Sequence, residues 1–393
     1  MLSFSGSKRR QTLMAVEKTD NALRRFFAYL GSFGCPPLIL MVKTLKPVIL
    51  SVSRSTDVPA FFSEWFLNRL RAGWCGWVNP FNKRAYRVSF ENVRAAVFWT
   101  KNPAPMFERL DEIEALLPNF YFQFTLNDYE AEGLEPKLPS LEKRIEAFLR
   151  LAERLGPGRV VWRFDPLLLT PATTPADLLA RVAAIGDRLI RATDRLVISF
   201  VDVMRYAKVR RSLVRETNWF SKETVGSAEP DADALRELAA GLSELAARWR
   251  QINPSFLIET CAEAADLSDW GIGHGCCIDG DRLWRLFPED RQLRRYLMTG
   301  KMLDDDEAEP QETLVQVGGT PPAIRLCRRL KDRGQRPHCG CIASKDIGAY
   351  DTCAHFCAYC YANRSRKSVL ANLDRYDPSS PFLVAPQACE THN

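Results

Sequence analysis

An α/β fold, arranged as a full or partial TIM-like (β/α) barrel, is what this sequence predicts, and three observations predict it. Short β-branched and aromatic runs alternate with longer amphipathic segments from Pro47 onward. The runs are continuously apolar, as strands buried on both faces of a parallel sheet must be. Polar and ionisable residues resume directly after each run, where barrel enzymes place their chemistry.

The candidate strands are residues 48–53, 96–100, 120–125, 159–164, 196–201 and 255–260. Helix patterns lie at residues 61–71 after Pro59, 106–117, 140–155 with Ser140 as N-cap, 175–192 after Thr174, and 231–249, rich in Ala, Leu and Glu. Just past the strands stand Arg54 with Asp57, Lys101, Asn127, Arg163 with Asp165, Asp202, and Glu259 with Cys261. Arg54 with Asp57 and Arg163 with Asp165 suit the anchoring of a polar substrate, or else an ion-pair network closing the barrel mouth. Lys101, Asp202 and Glu259 are candidates for proton transfer.

Beyond residue 260 the alternation weakens. Residues 304–310 form an acidic patch that reads as a solvated loop, 315–320 a strand, and 322–333 a short basic helix. The expected organisation is a poorly conforming extension over residues 1–46, a barrel core over 47–300, a cysteine-rich segment completing the barrel over 301–375, and a loosely packed tail over 376–393.

A chain of 393 residues with 46% hydrophobic and 26% charged residues is globular, which excludes disordered and collagen-like classes. The net charge of +6 does not demand wholesale coating of nucleic acid. No apolar leader with a cleavage site opens the chain, and the apolar stretch 26–42 is broken by Gly31, Gly34, Pro36 and Pro37. A cytoplasmic protein without a membrane partner is therefore expected. In that reducing compartment, clustered cysteines point to metal or redox chemistry before disulfides.

Five of the twelve cysteines fall between Cys339 and Cys360. Cys353, Cys357 and Cys360 are separated by three and then two residues, a spacing that lets a short loop wrap three thiolates around one cluster face. Chance would produce that triplet on the order of 0.01 times in such a chain. Three cysteines on a 4Fe-4S cluster leave one iron open, whereas a structural zinc site wants four closed ligands.

This spacing, with Tyr359 directly before the last cysteine, resembles the signature of radical S-adenosylmethionine enzymes. The resemblance implies a 4Fe-4S cluster on Cys353, Cys357 and Cys360, Tyr359 near the bound adenine, and S-adenosylmethionine cleaved to a 5'-deoxyadenosyl radical. It also implies a reductant such as flavodoxin or ferredoxin, and a full or partial α/β barrel. In that superfamily the motif follows the first barrel strand, whereas here it lies near the C-terminus. A circular permutation reconciles the two, with residues 342–350 preceding the cluster and 48–53 as the next strand in barrel order. No Gly-Gly-Glu element follows residues 48–53, so the usual contact to the cosubstrate's amino group is unassigned.

The chain as a whole resembles the bacterial family catalogued as domain of unknown function 1848. The resemblance runs from about Val48 to Leu383. It is carried by Ser53-Arg54-Ser55-Thr56-Asp57, Phe98-Trp99-Thr100-Lys101-Asn102-Pro103, Trp162-Arg163-Phe164-Asp165-Pro166, Ile198-Ser199-Phe200-Val201-Asp202 and the cysteine-rich end. It implies relatives without implying a reaction.

Cys339 and Cys341 are metal-ligand candidates as well. They complete a zinc site with two of the triplet, serve an auxiliary site with Cys261, Cys276 or Cys277 near His274, take a redox or substrate-binding role, or stay inert. Arg325, Arg328, Arg329, Lys331, Arg333 and Arg336 precede the cysteines, Arg364, Arg366 and Lys367 follow them, and Arg205, Lys208, Arg210, Arg211 and Arg215 lie beyond the fifth strand. These cations balance a negatively charged cluster or present a surface to phosphates. Two functions follow: an iron-sulfur enzyme of radical S-adenosylmethionine type acting on a small-molecule or nucleic-acid substrate, or a non-catalytic zinc or iron-sulfur protein that binds nucleic acid through its basic surface.

Overall fold

The computed structural model describes residues 43–302, 314–315, 323–324 and 330–386. Most of the expected N-terminal extension, the acidic patch and Arg325, Arg328 and Arg329 lie outside the described residues. Eight parallel strands form one sheet: β1 (Ile49–Val52), β2 (Ala95–Thr100), β3 (Phe120–Thr125), β4 (Val160–Leu167), β5 (Arg195–Phe200), β6 (Leu257–Thr260), β7 (Gly273–His274) and β8 (Lys345–Asp346). Their order across the sheet is β7-β6-β5-β4-β3-β2-β1-β8, so seven strands follow chain order and the last returns beside the first. Among the described residues no pairing joins the two edges, β7 and β8. The helices are α1 (Ser63–Ala72), α2 (Leu110–Leu116), α3 (Leu141–Leu155), α4 (Pro175–Leu189), α5 (Ala207–Glu216), α6 (Ala232–Arg250), α7 (Gly280–Leu286), α8 (Arg291–Thr299) and α9 (Arg366–Leu373). None is long and apolar enough to cross a membrane.

Local chemistry explains the helix starts. Thr174 and Asp177 form a capping box that opens α4, with Pro175 at its first position. Asp231 accepts from the backbone N–H groups of Asp233 and Ala234 and opens α6. Ser140 occupies the N-cap position of α3, but its side chain makes no capping bond; Glu130 instead accepts from the Leu141 N–H. A single turn, Val58–Phe61, capped by Asp57, precedes α1 and begins earlier than the sequence pattern indicates.

Burial on both faces is what makes the strands continuously apolar. On one face Phe98, Phe122, Phe124, Trp162 and Ile198 pack against helical residues such as Ile113, Leu151, Val182 and Trp249. On the other, Ile49, Val97, Tyr121, Val161 and Val197 pack against Cys277, Ile278, Leu283, Phe287, Leu293 and residues 339–342. Residues 277–297 and 330–342, which show little periodicity, thus pack on the second face of the sheet. The Trp249 ring lies so close to Gly186 that a Cβ there would approach within 2.1 Å, so helices α4 and α6 pack through a glycine.

An antiparallel pair, Leu314–Val315 with Ala323–Ile324, replaces the start of the basic helix expected from residue 322. The Gly318-Gly319-Thr320-Pro321-Pro322 sequence between these strands is turn-forming, and proline at residue 322 disfavours a helical residue before it. A ribbon of Trp74–Val78 and Ala85–Ser89, absent from the sequence-based expectation, flanks the main sheet. The tail is not loose over its described part. Ser380 O accepts from Trp65 Nε1 at 3.0 Å, and Ser379 O accepts from Arg69 Nη2 at 3.0 Å.

The β1–β8 pair brings the cysteine-rich end to the start of the sheet. Asp346 of β8 accepts from Ser51 Oγ at 2.8 Å, Ser53 Oγ at 2.8 Å and the Arg54 N–H at 2.7 Å. Replacing Asp346 by Ala orphans these donors, at about 1–3 kcal/mol for each one left buried. The expected result is a lower denaturant midpoint than that of the parent chain, accompanied by faster hydrogen exchange in residues 345–363.

Candidate functional site

Contacts tie the cysteine segment to residues just past the carboxyl ends of β1, β2 and β3. Asp346 ends β8, and the chain passes Asp351 in a left-handed conformation (φ 59°) into the triplet. Phe356, also left-handed at φ 55°, reverses the backbone between Cys353 and Cys357. A non-glycine residue holds this conformation only where its surroundings enforce it.

Two buried anchors supply that enforcement. His355, between the first two cysteines, has Nε2 2.8 Å from Asp57 Oδ2. The same oxygen accepts from the Lys101 N–H at 2.7 Å, and Asp57 Oδ1 accepts from the Ala60 N–H at 3.0 Å. With both oxygens engaged, Asp57 holds the loop, the end of β2 and the turn after β1 together.

Tyr359 is the second anchor. Its hydroxyl donates to Glu135 Oε1, and Lys101 Nζ lies 2.7 Å from the same oxygen and 3.0 Å from the hydroxyl. Asn127 Nδ2 also reaches the tyrosine oxygen at 3.0 Å, and Arg144 Nη1 reaches Glu135 Oε2 at 3.4 Å. Burial alone would raise the Glu135 carboxyl, but Lys101 and Arg144 together hold it below its ordinary value. Burial works to lower the Lys101 ammonium, and Glu135 overrides it, leaving the lysine raised. The expectation that Tyr359 lies near a bound adenine meets a ring that is almost wholly enclosed, with its hydroxyl committed to this network.

Burial pushes the Cys353, Cys357 and Cys360 thiols up. Charge on Cys360 and Cys357 adds to the rise at Cys353, while the Lys101 ammonium opposes it at Cys357 and Cys360. Among the described residues no three or more His, Cys, Asp or Glu side chains already stand in a metal-binding array. The donor set nevertheless fits a cluster with one open iron: three soft thiols on a reversed loop, with nearby cations to balance thiolate charge.

The other expected residues divide. Arg163 donates to Cys277 Sγ at 2.8 Å, to Gln123 Oε1 at 3.2 Å, and to Asp165. Burial disfavours the Asp165 charge, but Arg163 and the hydrogen bond from Ser199 lower its pKa. The Arg54 and Arg163 guanidiniums lie 5.4 and 5.0 Å from the Trp99 ring centroid. Glu259 points away from this group, its carboxylate 2.9 Å from Arg195 Nη1, which also donates to Asp279 at 2.8 Å. Asp202 caps a turn through the Arg205 N–H and lies 3.9 Å from Arg336.

Sequence reasoning missed Glu135, Arg144 and Glu263. Glu135 and Arg144 carry no strand-end signal, because a loop and helix α3 deliver them. Glu263 accepts from the Phe200 N–H at 3.2 Å, and burial pushes it up to about 7, which suits proton exchange at neutral pH. Beside the cysteine loop, Lys208, Arg211, Arg215 and Arg364 line an open cleft of about 250 Å³.

These features define an α/β protein with a thiol-bearing loop docked on the carboxyl edge of a parallel sheet. The chain belongs to the family described as domain of unknown function (DUF1848), whose model matches residues 49–362. No curated protein matches it.

Glu135→Gln leaves Lys101 and Arg144 without their buried counter-charge, and breaking such a pair costs about 3–5 kcal/mol. The parent carboxyl has a lowered folded pKa, so its contribution is complete above the unfolded value of 4.5 and is lost as pH falls through the folded value. Denaturant titrations should show lower stability for the variant near neutral pH, with the difference narrowing under acid conditions.

Proposed function

We propose that this chain is an iron-sulfur enzyme of radical S-adenosylmethionine type, with Cys353, Cys357 and Cys360 as the ligands of a 4Fe-4S cluster. The observation that carries the proposal is the anchored cysteine loop: Asp57 through His355, and Glu135 through Tyr359, tie the loop of three thiols to the carboxyl edge of the sheet. The strand order supports a circularly permuted barrel, in which β8 precedes the motif and β1 is its neighbour. On this reading β8 opens the barrel order.

Such a cluster, with one iron free of protein ligands, would supply the electron for reductive cleavage of S-adenosylmethionine. The protein's own groups do the rest. Lys101 balances the thiolates while staying fixed by Glu135. The charged pair Arg163–Asp165 anchors a polar substrate, and Glu263, raised to about 7 by burial, exchanges a proton with it. Arg54 stacks on Trp99 and orients that wall. A flavodoxin- or ferredoxin-like reductant would approach the exposed side of the loop.

A basic cleft beside that loop favours a second reading, a non-catalytic metal protein that binds nucleic acid. Lys208, Arg211, Arg215 and Arg364 would then meet phosphates, and binding of a labelled oligonucleotide would weaken steeply with salt.

The test of the first reading is anaerobic reconstitution with iron and sulfide. About four irons and four sulfides per chain are expected at this site, and a C353A/C357A/C360A variant should lose them. With dithionite and S-adenosylmethionine the reconstituted parent should release 5'-deoxyadenosine. Absence of labile sulfide overturns the cluster assignment, and an intact cluster that yields no 5'-deoxyadenosine overturns the catalytic one.

A further inference from the structure

A second group of cysteines meets on the opposite side of the sheet's carboxyl edge, delivered by three separate segments. Cys261 follows β6, Cys277 follows β7, and Cys339 and Cys341 precede β8. The Cys261 and Cys277 sulfurs are 3.3 Å apart. Cys277, Cys339 and Cys341 share one buried cluster with Cys261 packed against it, the residue after Cys277 donates its N–H to Cys341 Sγ, and none of the four is in a disulfide.

The backbone around them is firmly held. Tyr121 Oη and Gln123 Nε2 donate to Cys277 O at 2.7 and 2.8 Å. The Ile278 N–H donates to Cys341 Sγ at 3.3 Å, and the Ile342 N–H donates to Ile278 O at 3.1 Å. Arg336 Nη2 donates to Cys261 O at 3.1 Å. Gly340 is required between the last two cysteines, since a Cβ there would come within 2.4 Å of Cys276 Sγ.

Two buried donors at this place have no partner, Arg54 Nη2 and Trp99 Nε1. Arg54 lies over the Trp99 ring beside Arg163, which already donates to Cys277 Sγ at 2.8 Å. Cations and orphaned N–H groups arranged around thiols are what a thiolate–metal centre needs for charge balance and N–H···S bonds.

We propose that Cys261, Cys277, Cys339 and Cys341 form a structural site for one tetrahedral divalent ion of the zinc class. Zn–S bonds of ~2.3 Å place neighbouring sulfurs about 3.8 Å apart, close to the observed contact, whereas a disulfide requires about 2.05 Å. A cubane cluster instead spreads its thiolates over different irons. As they stand the four thiols do not form a metal-binding array, so the proposal requires their side chains to rotate about χ1 when the ion binds. Binding releases the thiol protons to solvent, and Arg54, Arg163 and Arg336 offset the remaining negative charge. The site spans the two edges of the sheet that share no strand pairing: Cys261 and Cys277 belong to the β6–β7 side, Cys339 and Cys341 to the β8 side. The ion therefore joins the two sheet edges where, among the described residues, no strand pairing does.

The test uses the full-length C353A/C357A/C360A variant, so that iron at the triplet and metal at this site are read separately. Purified from zinc-supplemented medium, it should retain about one zinc per chain. Replacement by cobalt(II) should give thiolate charge-transfer absorption with tetrahedral d–d bands. Cys261, Cys277, Cys339 and Cys341 should resist alkylation until a strong chelator is added, as mapped by mass spectrometry, and the chelator should lower the Tm. Because C277S and C341S each disturb a buried core position, the alkylation map on the otherwise unmodified site keeps the test decisive. Zinc-free protein with these four cysteines freely alkylated, or with Cys261 and Cys277 joined in a disulfide, overturns the site without touching the triplet's assignment.

Discussion

A buried carboxylate must find all its hydrogen-bond donors inside the fold, and Asp57 meets that requirement by joining three pieces of chain. Its oxygens take the start of the turn after β1, the backbone at the end of β2, and the imidazole of His355. Remove that carboxylate and the cysteine loop loses its tie to the sheet on one side. Glu135 plays the matching part on the other, where Lys101, Tyr359, Asn127 and Arg144 converge on it. Both groups are costly to desolvate, so each stabilises the fold only while its full set of partners is in place. That condition makes the loop's position a property of the whole sheet edge.

The same logic shows why the site residues serve different ends. Lys101 and Arg163 look alike as strand-end cations. Lys101 is spent on Glu135 and Tyr359 at the triplet, while Arg163 bridges Asp165 and the Cys277 sulfur. Glu259 resembles both in position, yet its partner Arg195 begins the neighbouring strand, which draws the carboxylate away from the mouth. A polar residue after a strand marks the edge; the partner that reaches it decides what it can do there.

Much of the fold was legible from pattern. Two-sided burial makes the first five sheet strands largely apolar runs, and proline or side-chain caps mark helices α4 and α6. The ribbon at residues 74–89 and the helices α7 and α8 were not legible, because half-buried alternation and short amphipathic turns carry little signal. Strand β8 has only two paired residues, and Asp346 rather than apolar burial secures it. Within the site the triplet was legible from spacing. Glu135 was not, since nothing in a loop sequence says that it will be carried under a tyrosine more than two hundred residues later.

The sequence by itself determined the parallel α/β class, the polar edge of the sheet and the three thiols of one loop, because periodicity and spacing are local and survive without a fold. Only the tertiary structure decided which cysteines are neighbours. Cys261, Cys277, Cys339 and Cys341 come from segments whose meeting depends on β8 pairing with β1 and on residues 277–297 and 330–342 covering a sheet face. Contacts between distant segments are set by the packing of the whole chain, and no short stretch of residues carries them.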